Sequence, residues 1–163
     1  MKRILFVLLA ALAIIACKKD ELSKTELLTK GPWTQTAEKY NPPVPVQIGD
    51  SITFTTVYVA DFFEILYDCA KDDQLSFQAN GLYKWETGPT VCDNNGNGVS
   101  TESTVYDQGS WVFNTSETKI TLSDGYYSYD YTIEELTENK LVLSSSLMDT
   151  ADNEYIQTSE YIR

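Results

Sequence analysis

The sequence predicts an all-β domain, a small antiparallel barrel or sandwich with one short helix, and three observations carry that expectation. Eight or nine short runs rich in β-branched and aromatic residues lie between positions 33 and 162, the density of strands joined by short connections. Within most runs apolar and polar side chains alternate, which puts one face on a core and the other in water. The runs are separated by Asn80-Gly81, Ser123-Asp124-Gly125 and Glu138-Asn139, residues that reverse the chain tightly.

The elements follow in order. The first run, residues 33–40, meets Asn41-Pro42-Pro43-Val44-Pro45, where the missing N–H groups keep the chain out of any central strand. In residues 51–59, Ile52, Phe54, Thr56 and Tyr58 share one face. Between 61 and 67 the period changes, since Phe62 and Phe63 meet Leu66 and Tyr67 at helical spacing behind Asp61 as a cap. One or two helical turns are expected there. Leu75, Phe77 and Ala79, the Asn80-Gly81 turn, and Tyr83 and Trp85 form a hairpin with its aromatic face inward. Further strands are expected at 108–113, 118–122, 126–135, 140–146 and 154–162. Residues 17–30 carry no apolar period and read as a tether, which leaves residues 31–163 as one domain, long enough to fold alone.

The N-terminus reads as an export signal. Lys2 and Arg3 precede an apolar run from Ile4 to Ala16, too short for the roughly 20 residues a membrane-spanning helix needs but suited to a secretory signal over residues 1–16. The junction Ile14-Ile15-Ala16-Cys17 resembles the lipobox of bacterial lipoproteins, and that resemblance implies cleavage before Cys17 and lipid attached to it. Lys18-Lys19-Asp20-Glu21 is either a solvated charged tether or similar to the tags that direct some lipoproteins to the outer membrane surface. The expected place is therefore the outer membrane, on its periplasmic or cell-surface face, with the N-terminal lipid as the membrane contact.

Charge and cysteine content narrow the partners. The chain has 24 acidic and 12 basic residues and a formal charge of −12. Loss of Lys2 and Arg3 with the signal would take this to −14. Such an excess opposes phosphate binding, so no nucleic-acid partner is expected, and it disfavours a peripheral grip on anionic lipid. A monomer is expected. With Cys17 acylated, Cys69 and Cys92 remain, and in an oxidising compartment they read as a disulfide, with two buried free thiols as the alternative.

Several of these residues together carry a resemblance. Cys69-Ala70-Lys71-Asp72-Asp73, Leu75-Ser76-Phe77, Asn80-Gly81-Leu82-Tyr83, Cys92 and Gly109-Ser110-Trp111 stand in the order of the lipocalin-like domain of small Gram-negative lipoproteins. Gly31 and Trp33 resemble that family's opening, and Tyr131-Thr132-Ile133-Glu134-Glu135-Leu136 with Leu141-Val142-Leu143 its closing strand pair. The resemblance spans about residues 30–145 and departs at Pro32 and in the Pro-rich insertion. It implies a small antiparallel up-and-down barrel. Function does not follow from fold alone.

Chemistry is constrained first by what is missing. The chain has no histidine, so His-based nucleophile systems and His-ligated zinc are excluded, and no enzyme activity is expected. Carboxylate pairs drawn from Asp61, Glu64, Asp68, Glu134 and Glu135 leave glycoside hydrolysis as a minor alternative. Asp93-Asn94-Asn95-Gly96-Asn97-Gly98 reads as either a mobile turn or the first half of a calcium loop with Asp93, Asn95 and Asn97 as ligands. The position of its last ligand falls on Thr104, so no cofactor is expected beyond that weak calcium candidate. In residues 126–133, period two places Tyr127, Tyr129, Tyr131 and Ile133 on one face, and burial of Asp130 by the alternative register makes that face the inward one. With Trp33, Phe77 and Trp85 these tyrosines line either a filled core or a small-molecule cavity centred on Tyr129. Exposed aromatics such as Tyr126 would instead suit glycans.

Overall fold

Eight antiparallel strands close on one another in a computed structural model that describes residues 21–49, 54–92, 99–100 and 104–163. In chain order the strands are β1 (Trp33–Gly49), β2 (Phe54–Asp61), β3 (Gln74–Phe77), β4 (Leu82–Glu86), β5 (Val91–Cys92), β6 (Val99–Ser100), β7 (Val105–Phe113), β8 (Lys119–Ser123), β9 (Ser128–Leu136), β10 (Lys140–Met148) and β11 (Glu154–Ile162). The barrel runs β1-β3-β4-β7-β8-β9-β10-β11 and closes where β11 pairs with β1. This is an up-and-down meander, interrupted by β2, which pairs outside it with β1, and by the β5-β6 ribbon. Closure removes the unpaired edges an open sheet would expose.

The prolines behave differently from the sequence-based expectation. They lie inside β1, next to a cis Asn41-Pro42 bond. β1 tolerates them because its pairing with β11 ends at Asn41, while the ladder with β2 resumes at Val44. Pro42 and Pro43 thus fall where the chain changes partners and no barrel ladder needs their N–H groups. On β2, Tyr58 is exposed and Val59 is buried, so the face holding Thr56 and Tyr58 is the outer one.

The tether reading of residues 17–30 requires correction at its end. Helix α1 (Lys24–Thr29) closes the bottom of the barrel, capped by Ser23, whose side chain accepts from the Glu26 N–H while Glu26 returns a bond to the Ser23 backbone. Leu28 is wholly buried in the core. Beneath it Trp33, also wholly buried, donates its ring N–H to the Leu28 carbonyl at 2.9 Å. The Arg163 guanidinium lies 3.7 Å over the Trp33 ring and donates to the carbonyl of Glu138 in the β9–β10 turn and to that of Leu27, a helix-end acceptor that would otherwise be orphaned.

The remaining core fills the same half of the barrel: Leu75, Phe77, Tyr83, Trp111, Ile120, Leu122, Leu141, Leu143 and Tyr161, with Phe113 and Leu136 against them. Trp111 meets both Phe77 and Phe113 edge to face and donates its ring N–H to the Gln78 carbonyl. The connections at this end are short. At the other end β8–β9 and β10–β11 are also joined by short turns, but the connections from β1 to β3 and from β4 to β7 are long, and the first carries two 3-10 turns, Phe62–Ile65 and Asp68–Ala70. The first turn stands within the expected helical segment, and Asp61 caps it by accepting from the Phe63 N–H.

Candidate functional site

The strand registers show which side chains share the inward face of the barrel above that core, because directly paired residues share a face. From β1 come Gln35, paired with buried Tyr161, and Glu38, paired with buried Ser159. Gln157 of β11 pairs with Tyr40 of β1 and with Ser145 of β10. β7 contributes Asp107, opposite Trp85 of β4. Tyr131 and Tyr129 of β9 face the lumen opposite buried Ile120 and Leu122. A dry aromatic floor therefore gives way upward to carboxylates, amides and phenols.

These polar groups are organised. Glu38 accepts from the Tyr40 hydroxyl and, at 2.8 Å, from the Gln157 amide. Asp107 accepts from the Tyr83 hydroxyl at 2.7 Å. Among the described residues neither carboxylate is in an ion pair: Lys39, beside Glu38 on β1, pairs with Glu160, and Lys84 of the neighbouring β4 pairs with Glu86. Burial pushes the Tyr40 and Tyr83 phenols well above their ordinary range, helped by the carboxylate each one serves. Tyr131 is also raised, by burial first and then by Tyr129, Asp107 and Glu38.

The residues singled out from sequence divide by depth. Trp33 and Phe77 are buried in the floor, Trp85 and Tyr131 pack against the core from above, and Tyr129, 49% exposed, stands near the rim. Tyr127 lies before β9 begins and is 66% exposed. Of the residues expected on the inward face, Tyr131 and Ile133 thus pack against the core, Tyr129 is half exposed, and Tyr127 precedes the strand. Tyr126 is almost fully exposed. Cys17 and the Asp93, Asn95, Asn97 loop lie outside the described residues. Among the described residues no group of three or more acidic or Cys side chains is placed to hold a metal.

Sequence reading missed Gln35, Glu38, Asp107 and Gln157. A bulge between Gln35 and Ala37 shifts the phase of β1, so a strict period from Trp33 assigns Glu38 to the outside. Asp107 was in reach, because it keeps phase with Gly109 and Trp111 once β7 is extended by three residues.

The rim is stitched by the residues between 69 and 92. Cys69 and Cys92 are bridged, with Cα atoms 5.1 Å apart. Asp72 accepts from the Thr90 N–H and Asp73 from the Gly88 N–H. Gly88 is required by the close approach, since a Cβ there would stand 1.9 Å from the Asp72 carbonyl oxygen. Burial raises the Asp73 carboxyl, opposed by the Gly88 N–H and a bond from the Tyr106 hydroxyl. Beside the mouth, Val44, Pro45, Leu147, Met148 and Tyr155 line an open apolar groove of about 290 Å³.

The chain matches the family model described as "Lipocalin-like domain" over residues 29–143. No curated protein matches it. Among solved structures it is similar to bovine odorant binding protein in complex with undecanal, at 14% identity and a TM-score of 0.44, covering 90% of this chain and 76% of that one. The bovine protein with a selenium-containing odorant gives 13%, 0.44 and the same coverage.

Proposed function

Because the chain belongs to the lipocalin-like domain family, we propose that it is a non-catalytic binding protein that takes one small, largely apolar molecule through the open end of its barrel. The observation that carries this reading is the gradient inside the lumen. An apolar floor of Trp33, Phe77, Trp111 and Leu143 lies under a ring of hydrogen-bonding groups, the division of labour a small-molecule site uses, with apolar area for affinity and few polar groups for orientation. The bovine structures similar to it hold an odorant or an aldehyde, which agrees with a ligand of that size.

The protein acts at the cell envelope in this reading, anchored by lipid on Cys17 to the outer membrane. Among the described residues no helix is long and apolar enough to cross a membrane, and the sequence around Cys17 supports acylation. Native mass spectrometry of the chain purified from its own cells tests the proposal. A second species heavier by one small molecule is expected, and recovery of the bare chain from every growth condition would count against it. The exposure of Tyr126 and Tyr127 favours a second reading, glycan contact at the rim, which predicts that soluble oligosaccharides protect those two tyrosines from nitration.

A further inference from the structure

Independently of what the lumen holds, we infer that the outer edge of β2 is an interface between two copies of this chain, paired antiparallel about a twofold axis. Beyond Asn41, β1 leaves β11 and continues with β2 as a two-stranded arm outside the closed barrel. Such a ribbon is marginal by itself, and among the described residues the second edge of β2 pairs with no strand. Its row of backbone N–H and C=O groups is a template for another strand. The usual guards are missing from that edge. Residues 54–60 contain no proline, glycine or charged side chain, and the ladder with β1 runs without a bulge from Val59 to Phe54. On the β1 side of the arm, by contrast, Pro42, Pro43 and Pro45 remove donors that an added strand would need.

Charge and symmetry identify the occupant as a second copy. Residues 42–49 and 54–60 carry no charged side chain, in a chain with 24 acidic and 12 basic residues. Two copies of formal charge −12 repel each other, and this arm is a face they can bring together without setting carboxylate against carboxylate. A basic partner would gain nothing here and would be drawn to the acids elsewhere. The edge is also complementary to itself, as a twofold requires. With Val57 opposite its own counterpart, Thr55 of one copy meets Val59 of the other and Thr56 meets Tyr58, pairs of β-branched and aromatic residues that stabilise adjoining strands. Tyr58 is 75% exposed, and from it an apolar groove continues over Pro45 to Tyr155 and Met148, which widens the face that a second copy would cover. The carboxylate in that groove, Asp149, accepts from Ala151, Asn153 and Tyr155 within its own hairpin. A dimer thus replaces the monomer expected from the sequence.

The test is sedimentation equilibrium of the purified full-length chain from micromolar to sub-millimolar concentration, with amide hydrogen exchange read on the same samples. A reversible monomer–dimer equilibrium is expected, and β2 amides should exchange more slowly as the concentration rises while those of β7 and β8 do not change. Thr56→Glu and Tyr58→Glu, both at exposed positions, would set like charges together across the twofold and should each weaken the dimer about tenfold or more. Unchanged near-ultraviolet dichroism from the buried Trp33 and Trp111 reports that these variants are folded. Val112→Glu, at an exposed position of β7 away from the arm, should leave the dimer intact. A chain that stays monomeric throughout overturns the inference. So does a dimer that both arm variants leave intact, or one that Val112→Glu weakens as much as they do. If an arm variant loses the native dichroism, exchange in the unaltered chain decides: a dimer without concentration-dependent protection of β2 overturns the inference, and protection confined to β2 upholds it.

Discussion

Single side chains set the two ends of the barrel apart. Leu28 and Trp33 are both wholly buried and seal the floor, so Leu28→Ala is expected to cost about 2–5 kcal/mol, measured by urea unfolding, with binding geometry at the mouth preserved. In the upper half the decisive groups are phenols. Tyr83 is held above the ordinary value by burial first and Asp107 second, Tyr131 by burial first and then by Tyr129 and the nearby carboxylates, and Tyr161 by burial chiefly, with Ser159 opposing. Each folded value lies above the unfolded one. The stability they contribute is therefore complete below about pH 10 and declines as the pH rises further. Phenolate absorbance followed against alkali should show these tyrosines ionising together with loss of structure. Their smooth ionisation in a chain that stays folded would contradict the assigned burial.

At the scale of elements, β1 and the rim explain why part of the molecule was legible in sequence and part was not. Alternation alone located most strands and the parity of β9, because cross-strand pairing with Ile120 and Leu122 obeys the same period. Depth along the strand was not legible: period two says which face a tyrosine takes, not how near the mouth it stands, and so Tyr129 was ranked over Tyr131. The phase shift between Gln35 and Ala37 hid Glu38 for a related reason. Helix α1 did leave a signal, the capping pair Ser23 and Glu26, but six residues are too few for a visible apolar period. The acidic pair after Cys69 was noticed without a role, which the structure supplies: Asp72 and Asp73 hold the backbone at Thr90 and Gly88. The bridge from Cys69 to Cys92, 23 positions apart, is expected to contribute about 3 kcal/mol by the chain-entropy estimate. Reduction should accordingly lower the thermal midpoint by several degrees. Gly88→Ala should destabilise the same region even with the bridge intact, as read by faster amide exchange at Thr90.

For the whole molecule, the arrangement amounts to a closed barrel with α1 and Arg163 packed at one end and the longer loops gathered at the other. The proposed lipid anchor at Cys17 precedes α1 in sequence. Cys17→Ser is expected to abolish fatty-acid labelling and release the protein from the membrane fraction, and unchanged retention would overturn the anchor. The central claim is that the lumen, and not the outer surface, takes the ligand. Its most direct test is fluorescence titration of the full-length chain with the neutral apolar probe N-phenyl-1-naphthylamine, comparing Tyr131→Trp, which fills the lumen, with Tyr126→Ala, which alters only the exposed rim. The account predicts saturable binding that Tyr131→Trp weakens at least tenfold and Tyr126→Ala leaves unchanged; loss of binding in Tyr126→Ala with full binding in Tyr131→Trp would contradict it.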